Sequence, residues 1–78
     1  MSEVKLKQVF AEVLEIPVDQ VTDDLVYNGI ERWDSIGHMS LIAAIDDAFD
    51  TMLDTDEVLD LSSFKKAKEI LMRHGVEF

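Results

Sequence analysis

The chain contains no cysteine and no apolar run that approaches the length needed to span a membrane. Without cysteine, a disulfide framework and a thiolate metal site are excluded. The first residues lack the basic-then-apolar form of a signal peptide, so we expect a cytoplasmic location without membrane insertion. The sequence also shows no internal repeat, no low-complexity tract and no alternating strand pattern. These absences leave an all-helical protein as the expectation.

Positive charge is scarce in this chain. Seven Lys and Arg residues stand against 17 Asp and Glu residues, which gives a formal net charge of −10. Nucleic acid and anionic lipid are therefore disfavoured as partners, because both are negatively charged themselves. No Lys or Arg occurs between Trp33 and Phe64. An acidic stretch of this kind suits either a solvated face or a docking surface for basic partners.

Apolar residues recur at steps of three and four, which is the spacing of amphipathic helices. Pro17 disfavours helical geometry at the residue before it and so ends the first helix. The four predicted helices run from Ser2 to about Leu14 or Glu15, from Ser35 to Phe49, from Thr55 to Asp60, and from Ser62 or Ser63 to His74. The fold class is therefore all-α, a single domain over residues 1–78. It is a four-helix bundle with a short third helix and a long first loop.

The core is predicted from the same spacing. In the helices the predicted buried positions are Leu6, Val9, Phe10, Val13, Leu14, Met39, Leu41, Ile42, Ile45, Phe49, Val58, Leu59, Leu61, Phe64, Ala67, Ile70 and Leu71. In the long connection, the apolar residues predicted to hold the chain against the core are Ile16, Val18, Val21, Leu25, Ile30 and Trp33. Asn28-Gly29 predicts a turn, and Asp23 is predicted to begin a short helical turn.

Asp34 and Ser35 stand where this connection gives way to the second helix. Both residue types are favoured at helix starts because their oxygens accept hydrogen bonds from the first free N–H groups. If Asp34 is the cap, the Ser35 hydroxyl lies at the first helical position. An anion attached there would face free N–H groups and the positive end of the helix dipole. The pair therefore suits a phosphorylated or phosphodiester-linked serine, with simple helix capping as the alternative.

A nucleophilic site is a second possibility for the same serine. Ser35 and His38 are three residues apart and could meet on one helix face as nucleophile and base. A hydrolase would also need an oxyanion site supported by a sheet and the first glycine of a nucleophile elbow, and the sequence supplies neither. The hydrolase interpretation is accordingly disfavoured.

Metal and ligand-stacking sites are weakly supported. The segment Asp54-Thr55-Asp56 lacks the glycine and glutamate positions of a calcium loop. His38 and His74 lie on different predicted helices with no evident third ligand, which favours surface or capping roles. Tyr27 and Trp33 fit either a ligand-stacking pair or, more commonly, aromatic anchors of the loop.

The motif Asp34-Ser35-Ile36, with the helix Met39-x-Leu41-Ile42-x-x-Ile45 and then Phe49, resembles the acyl carrier protein family. Val21-Thr22-Asp23-Asp24-Leu25 and the acidic segment downstream also fall where that family has them, so the resemblance covers essentially the whole chain. The resemblance implies that a serine opening the second of four helices carries 4′-phosphopantetheine as a phosphodiester. It also implies that acyl or aminoacyl groups are held on the arm as thioesters.

The resemblance also implies roles for individual residues. Ser35 would be the attachment point, modified by a separate phosphopantetheinyl transferase, and Asp34 matches the motif acid. The chain would be a non-catalytic carrier, expected to be a monomer, that meets acyl- or aminoacyl-loading and acyl-processing enzymes through their basic patches. The candidate docking residues are Ile36, Asp46, Asp47, Asp50, Asp54, Asp56 and Glu57.

Two departures from the family pattern refine this expectation. Ile30-Glu31-Arg32-Trp33 stands where many carriers of primary fatty-acid synthesis have Leu-Gly-x before the motif. Gly37-His38-Met39-Ser40 stands where those carriers tend to have acids. Both differences favour a discrete carrier of a specialised pathway, such as polyketide, lipid-modifying, polysaccharide or nonribosomal peptide assembly. The alternative from another class is an acidic helical interaction module without a prosthetic group.

Overall fold

The structure, a computed structural model, describes residues 2–78 and consists of four α-helices. The helices are α1 (Ser2–Leu14), α2 (Ser35–Phe49), α3 (Thr55–Asp60) and α4 (Phe64–Arg73), with a 3₁₀ turn at Val18–Gln20. Over residues 2–78 extended pairing is limited to one antiparallel bridge between Val26 and Ser63. None of these helices is both long and apolar enough to cross a bilayer. The predicted all-α fold, with its short third helix and long first loop, is confirmed.

Local sequence sets where the helices begin and end. Glu15 and Asp50 follow α1 and α2 in left-handed conformations, with φ of 55° and 54°, and these terminate the regular hydrogen bonding. At the start of α3, Asp54 and Glu57 form a capping box in which each side chain accepts the other's backbone N–H. Ser63 caps α4 by accepting the N–H three residues further on, at 2.9 Å.

Three aromatic rings lie at the centre of the bundle. Phe10 packs edge-to-face against Trp33 and against Phe64, with ring centroids 5.4 Å and 5.1 Å apart. Trp33 is completely buried although it lies in the long connection. The other buried apolar residues are Leu6, Ala11, Leu14, Val21, Leu25, Leu41, Ile42, Ile45, Leu53, Leu61, Ala67, Ile70 and Leu71. Because Trp33 immediately precedes Asp34-Ser35, the core itself fixes where α2 begins.

The long connection is held to the core, but not by every residue that was expected to hold it. Val21 and Leu25 are buried as predicted, whereas Val18 is 45% exposed because it lies in the 3₁₀ turn on the surface. The helical turn predicted at Asp23 is present as one hydrogen-bonded turn and not as a helix, and the 3₁₀ turn at Val18–Gln20 was not predicted. Around Asp23 the chain forms a single tight turn closed by the Leu25 N–H and the Thr22 carbonyl.

An ion pair joins the same connection to α4. Lys68 Nζ lies 2.8 Å from Asp23 Oδ1. The hydrogen bond from Lys68 lowers the pKa of Asp23 from its ordinary value, since it favours the charged carboxylate. A lysine in the first half of α4 is not favoured by the helix dipole, and this tertiary contact offsets that for Lys68.

Two residues that were predicted to be buried face solvent instead. Met39 is 60% exposed because His38 takes the inward position at this level of α2. Leu59 is 77% exposed because α3 has only six residues and turns Val58 and Leu61 toward the core. Both exposed side chains therefore lie on the surface beside the start of α2, where they line the groove described below.

Candidate functional site

The start of α2 has the capping arrangement expected from its sequence. Asp34 is extended, and its Oδ1 accepts the Gly37 N–H at 2.8 Å. The Asp34 carbonyl accepts the His38 N–H, also at 2.8 Å, as the first intrahelical bond. Ser35 is thus the first helical residue and is exposed. Helix geometry leaves the N–H groups of Ser35 and Ile36 without an intrahelical acceptor, as an anion-binding helix start requires.

The Ser35 hydroxyl has a side-chain neighbour that the sequence did not indicate. Tyr27 Oη lies 3.2 Å from Ser35 Oγ, within hydrogen-bond distance. The tyrosine ring is half-buried and meets Trp33 and His38 edge-on, with centroids 6.3 Å and 5.3 Å away. The aromatic pair Tyr27–Trp33 therefore anchors the loop, while the phenol oxygen is directed at the candidate attachment atom.

His38 connects three parts of the chain through its two ring nitrogens. Trp33 Nε1–H donates to His38 Nδ1 at 3.0 Å, and His38 Nε2 lies 2.8 Å from the Val58 carbonyl oxygen. An indole nitrogen only donates, so Nδ1 is the acceptor and the hydrogen of the neutral imidazole lies on Nε2, which donates to Val58. The imidazole also stacks near Trp33, with planes 21° apart. His38 thereby joins the loop, α2 and α3.

These hydrogen bonds show whether Ser35 and His38 form the nucleophile–base pair of a hydrolase. Both nitrogens of His38 are bonded to other groups, and Ser35 Oγ is paired with the Tyr27 hydroxyl. A general base must lie within hydrogen-bond reach of the proton it removes. The Ser35–His38 dyad considered for a hydrolase is therefore not formed. Nor does any group of three or more potential ligand side chains among residues 2–78 lie close enough together to hold a metal ion.

The structure explains why position 37 is glycine, which the sequence alone did not show. A Cβ at this position would lie 2.0 Å from the carbonyl oxygen of Arg32, a backbone atom that cannot swing away. The last turn of the connection therefore passes directly over the first turn of α2. Glycine is therefore needed for this close approach.

We expect Gly37→Ala to destabilise the protein, which is the reverse of the usual effect of this substitution in a helix. Alanine normally stabilises a helix by about 1 kcal/mol relative to glycine. Here overpacking against the Arg32 carbonyl is expected to cost at least about 1 kcal/mol net. Urea unfolding would measure the change, with Ser40→Ala, an exposed α2 position, as the control. A more stable Gly37→Ala protein would contradict the close approach.

An apolar groove begins at the candidate attachment serine. It has a volume of about 340 Å³ and runs between α2 and α3. Its lining residues are Tyr27, Ser35, His38, Met39, Val58, Leu59, Leu61 and Ser62. The two exposed side chains that were expected in the core, Met39 and Leu59, are part of this lining.

The apolar candidate for docking lies on the open face of α2. Ile36 is 80% exposed and directly follows Ser35, as predicted. Among the candidate docking acids, Asp47, Asp50, Asp54 and Asp56 are also exposed, and Asp54 uses its side chain in a helix cap. Ile36 and the other three exposed acids are therefore accessible to a partner.

The other three candidate acids are used within the fold. Asp46 Oδ1 accepts the Thr51 hydroxyl at 3.0 Å and the Leu53 N–H at 3.3 Å. Asp54 and Glu57 form the capping box of α3. Glu57 also meets His74 Nε2 at 2.9 Å, and this hydrogen bond, followed by that from the Asp54 N–H, lowers the pKa of Glu57 from its ordinary value.

Comparison with known families gives an independent result. The family model described as "Phosphopantetheine attachment site" matches residues 4–71, which is most of the chain. No individual curated protein matches the chain significantly. Proteins of the matched family carry 4′-phosphopantetheine covalently on a serine and serve as non-catalytic carriers. This agrees with the all-helical bundle and with an exposed serine at a helix start. The chain therefore belongs to the phosphopantetheine-binding family of carriers, which includes the acyl carrier proteins.

Proposed function

We propose that Ser35 carries the 4′-phosphopantetheine arm and that the protein delivers acyl or aminoacyl groups to partner enzymes. The observation that supports this proposal most directly is the exposed hydroxyl at the first position of α2, next to the capping Asp34. Asp34 satisfies the Gly37 N–H with its own carboxylate. The N–H groups of Ser35 and Ile36 are left for the phosphodiester, which fits this position for that reason.

The remaining serines are less suitable for attachment. Ser2 lies outside the residues matched by the family model. Ser40 is in the second turn of α2, where helical N–H groups are already bonded. Ser63 uses its hydroxyl to cap α4, and Ser62 precedes it in the connection rather than opening a helix. Ser35 alone among the described serines combines an exposed hydroxyl, a preceding capping acid and an apolar residue after it.

The attachment reaction requires a separate transferase and a pantetheine pyrophosphate donor of the coenzyme A type. The Ser35 Oγ forms a bond to the donor's pantetheine-bearing phosphorus, and the pyrophosphate bond breaks. The leaving group is adenosine 3′,5′-bisphosphate, and the hydroxyl proton passes to a base of the transferase, since His38 is not available to Ser35. Once attached, the arm supplies a terminal thiol that holds acyl groups as thioesters.

The protein itself contributes to function by holding the attachment serine in a fixed position. Trp33 is locked in the core and fixes the start of α2, so the attachment atom is held at one end of the bundle on a rigid element. Tethering a cargo raises its effective concentration at each enzyme that docks the carrier. A carrier of this kind needs a rigid attachment point and a recognition surface but no active site.

We propose a discrete carrier of a specialised pathway rather than of primary fatty-acid synthesis. The residues that depart from the primary pattern contact each other around Ser35: Trp33 donates a hydrogen bond to His38, and Gly37 packs against the Arg32 carbonyl. These contacts support a recognition surface around Ser35 that differs from that of the primary fatty-acid carriers. The expected partners are a phosphopantetheinyl transferase and acyl- or aminoacyl-handling enzymes with basic patches, in the cytoplasm where coenzyme A is available. A monomer of one domain is sufficient for this role.

The decisive experiment is covalent modification in vitro. The purified protein would be incubated with coenzyme A and a broad-specificity phosphopantetheinyl transferase, and its intact mass measured. We expect a gain of a single phosphopantetheine, with peptide mapping placing it on Ser35. A protein that stays unmodified under conditions where a known carrier is fully converted would favour the acidic interaction module instead.

A further inference from the structure

The phenol of Tyr27 is the side-chain group at hydrogen-bond distance from Ser35 Oγ in the described part of the chain. The two hydroxyls form a neutral pair at 3.2 Å, in which either oxygen can donate. The family assignment does not account for this tyrosine. Its position at the attachment atom suggests a role toward the group attached there.

The position of Tyr27 is set by the fold and does not depend on Ser35. Its backbone N–H donates to the Ser62 carbonyl at 2.8 Å, next to the bridge between Val26 and Ser63. Its ring is held edge-on by Trp33 and His38. The hydroxyl is therefore pre-positioned, so little conformational entropy is lost when it makes a hydrogen bond.

Modification of Ser35 changes the hydrogen bonding available to this pair. After esterification the Ser35 oxygen has no hydrogen, so Tyr27 can act only as the donor. The phosphodiester bonded to that oxygen is an anion, and hydrogen bonds to ionised acceptors are shorter and about twice as strong as neutral ones. The phenol, held 3.2 Å from Ser35 Oγ, thus gains an ionised acceptor in the phosphate bonded to that oxygen.

We propose that Tyr27 is a positioning residue that donates its hydroxyl hydrogen to the phosphodiester on Ser35 and holds the base of the prosthetic arm beside the α2–α3 groove. This inference rests on the proposed attachment at Ser35. It assigns the anion two kinds of donor, the free N–H groups at the start of α2 and the Tyr27 phenol. Of these two kinds of donor, the phenol is the one supplied by a side chain.

The test uses the modified protein and ³¹P NMR, a readout that does not depend on any loaded enzyme. Tyr27→Phe keeps the ring and its packing and removes only the oxygen. We expect the ³¹P resonance of the modified variant to shift and its relaxation to show a more mobile phosphate. Ser40→Ala, which removes an exposed hydroxyl from the same helix outside the groove, is the matched control and should leave the ³¹P resonance unchanged.

A second measurement needs no mutation. Tyr27 is the sole tyrosine of the sequence, so ¹³Cζ labelling of tyrosine gives one assigned resonance. We expect it to shift between the unmodified and the modified protein. A modified protein with an unmoved ¹³Cζ resonance, or with the same ³¹P resonance in Tyr27→Phe, would overturn the role of Tyr27 and leave the carrier function standing. Absence of any phosphodiester signal after transferase treatment would overturn both.

Discussion

Replacing Ser35 by alanine is expected to abolish phosphopantetheine attachment completely and to leave the fold intact. The substitution removes the only oxygen to which the arm can be joined at the start of α2. Ser35 is exposed, and its hydroxyl contacts only the Tyr27 phenol among the described side chains. Alanine is also a better helix former than serine. We therefore expect the stability change to stay within about 0.5 kcal/mol.

Intact-mass measurement after exhaustive transferase treatment would test this expectation, and thermal unfolding would test the fold. Ser40→Ala is the matched control, since it removes an exposed hydroxyl from the same helix without touching its first turn. That control should be modified as fully as the original protein. Modification that persists in Ser35→Ala would place the attachment on another serine and remove the basis for the site.

The helix boundaries and the cap at α2 were predictable because their causes are local. Asp34 accepts a hydrogen bond from a residue three positions away, and Ser63 does the same for α4. Such contacts depend on a few consecutive residues and can be inferred from their types. The α1 stripe was likewise predictable, because a helix repeats its buried face regularly.

The incorrect burial predictions concern positions where segments distant in the sequence pack together. Met39 was predicted to be buried from its spacing, but Trp33 and the Val58 carbonyl draw His38 inward instead. A histidine that satisfies both ring nitrogens can take a half-buried position that spacing alone would give to an apolar residue. The need for glycine at position 37 could not be inferred for a related reason, because the carbonyl oxygen that excludes a side chain there belongs to Arg32 in the preceding loop.

The acidic character of the second half of the chain has two origins that the sequence could not separate. Asp46, Asp54 and Glu57 accept hydrogen bonds that shape the end of α2 and the start of α3. Asp47 and Asp56 are exposed, and the structure shows no ion pair for either one within residues 2–78. A docking experiment should therefore alter Asp47 and Asp56, because changing Asp46 would also disturb the fold.

The exposed face of α2 changes character along its length. Ile36, Ser40, Ala43 and Asp47 follow one another at steps of four, three and four and are all exposed. At a rise of 1.5 Å per residue, Ile36 and Asp47 are about 16 Å apart along the helix axis. A partner that binds this face would meet an apolar side chain beside the proposed attachment site and negative charge at the far end.

We expect Ile36→Ala to weaken docking to the transferase more than the loss of the exposed charges does. Burying an isoleucine side chain in a partner contributes about 1.5–3 kcal/mol, whereas an exposed charge pair contributes about 0–1 kcal/mol and weakens with salt. Ile36→Ala should therefore speed dissociation about ten- to a hundredfold with little change in salt dependence. The double variant Asp47→Asn, Asp56→Asn should slow association by less than about fivefold and flatten its dependence on ionic strength. Surface plasmon resonance at several salt concentrations would separate the two rates. An unchanged dissociation rate for Ile36→Ala would mean that partners do not bind this face of α2.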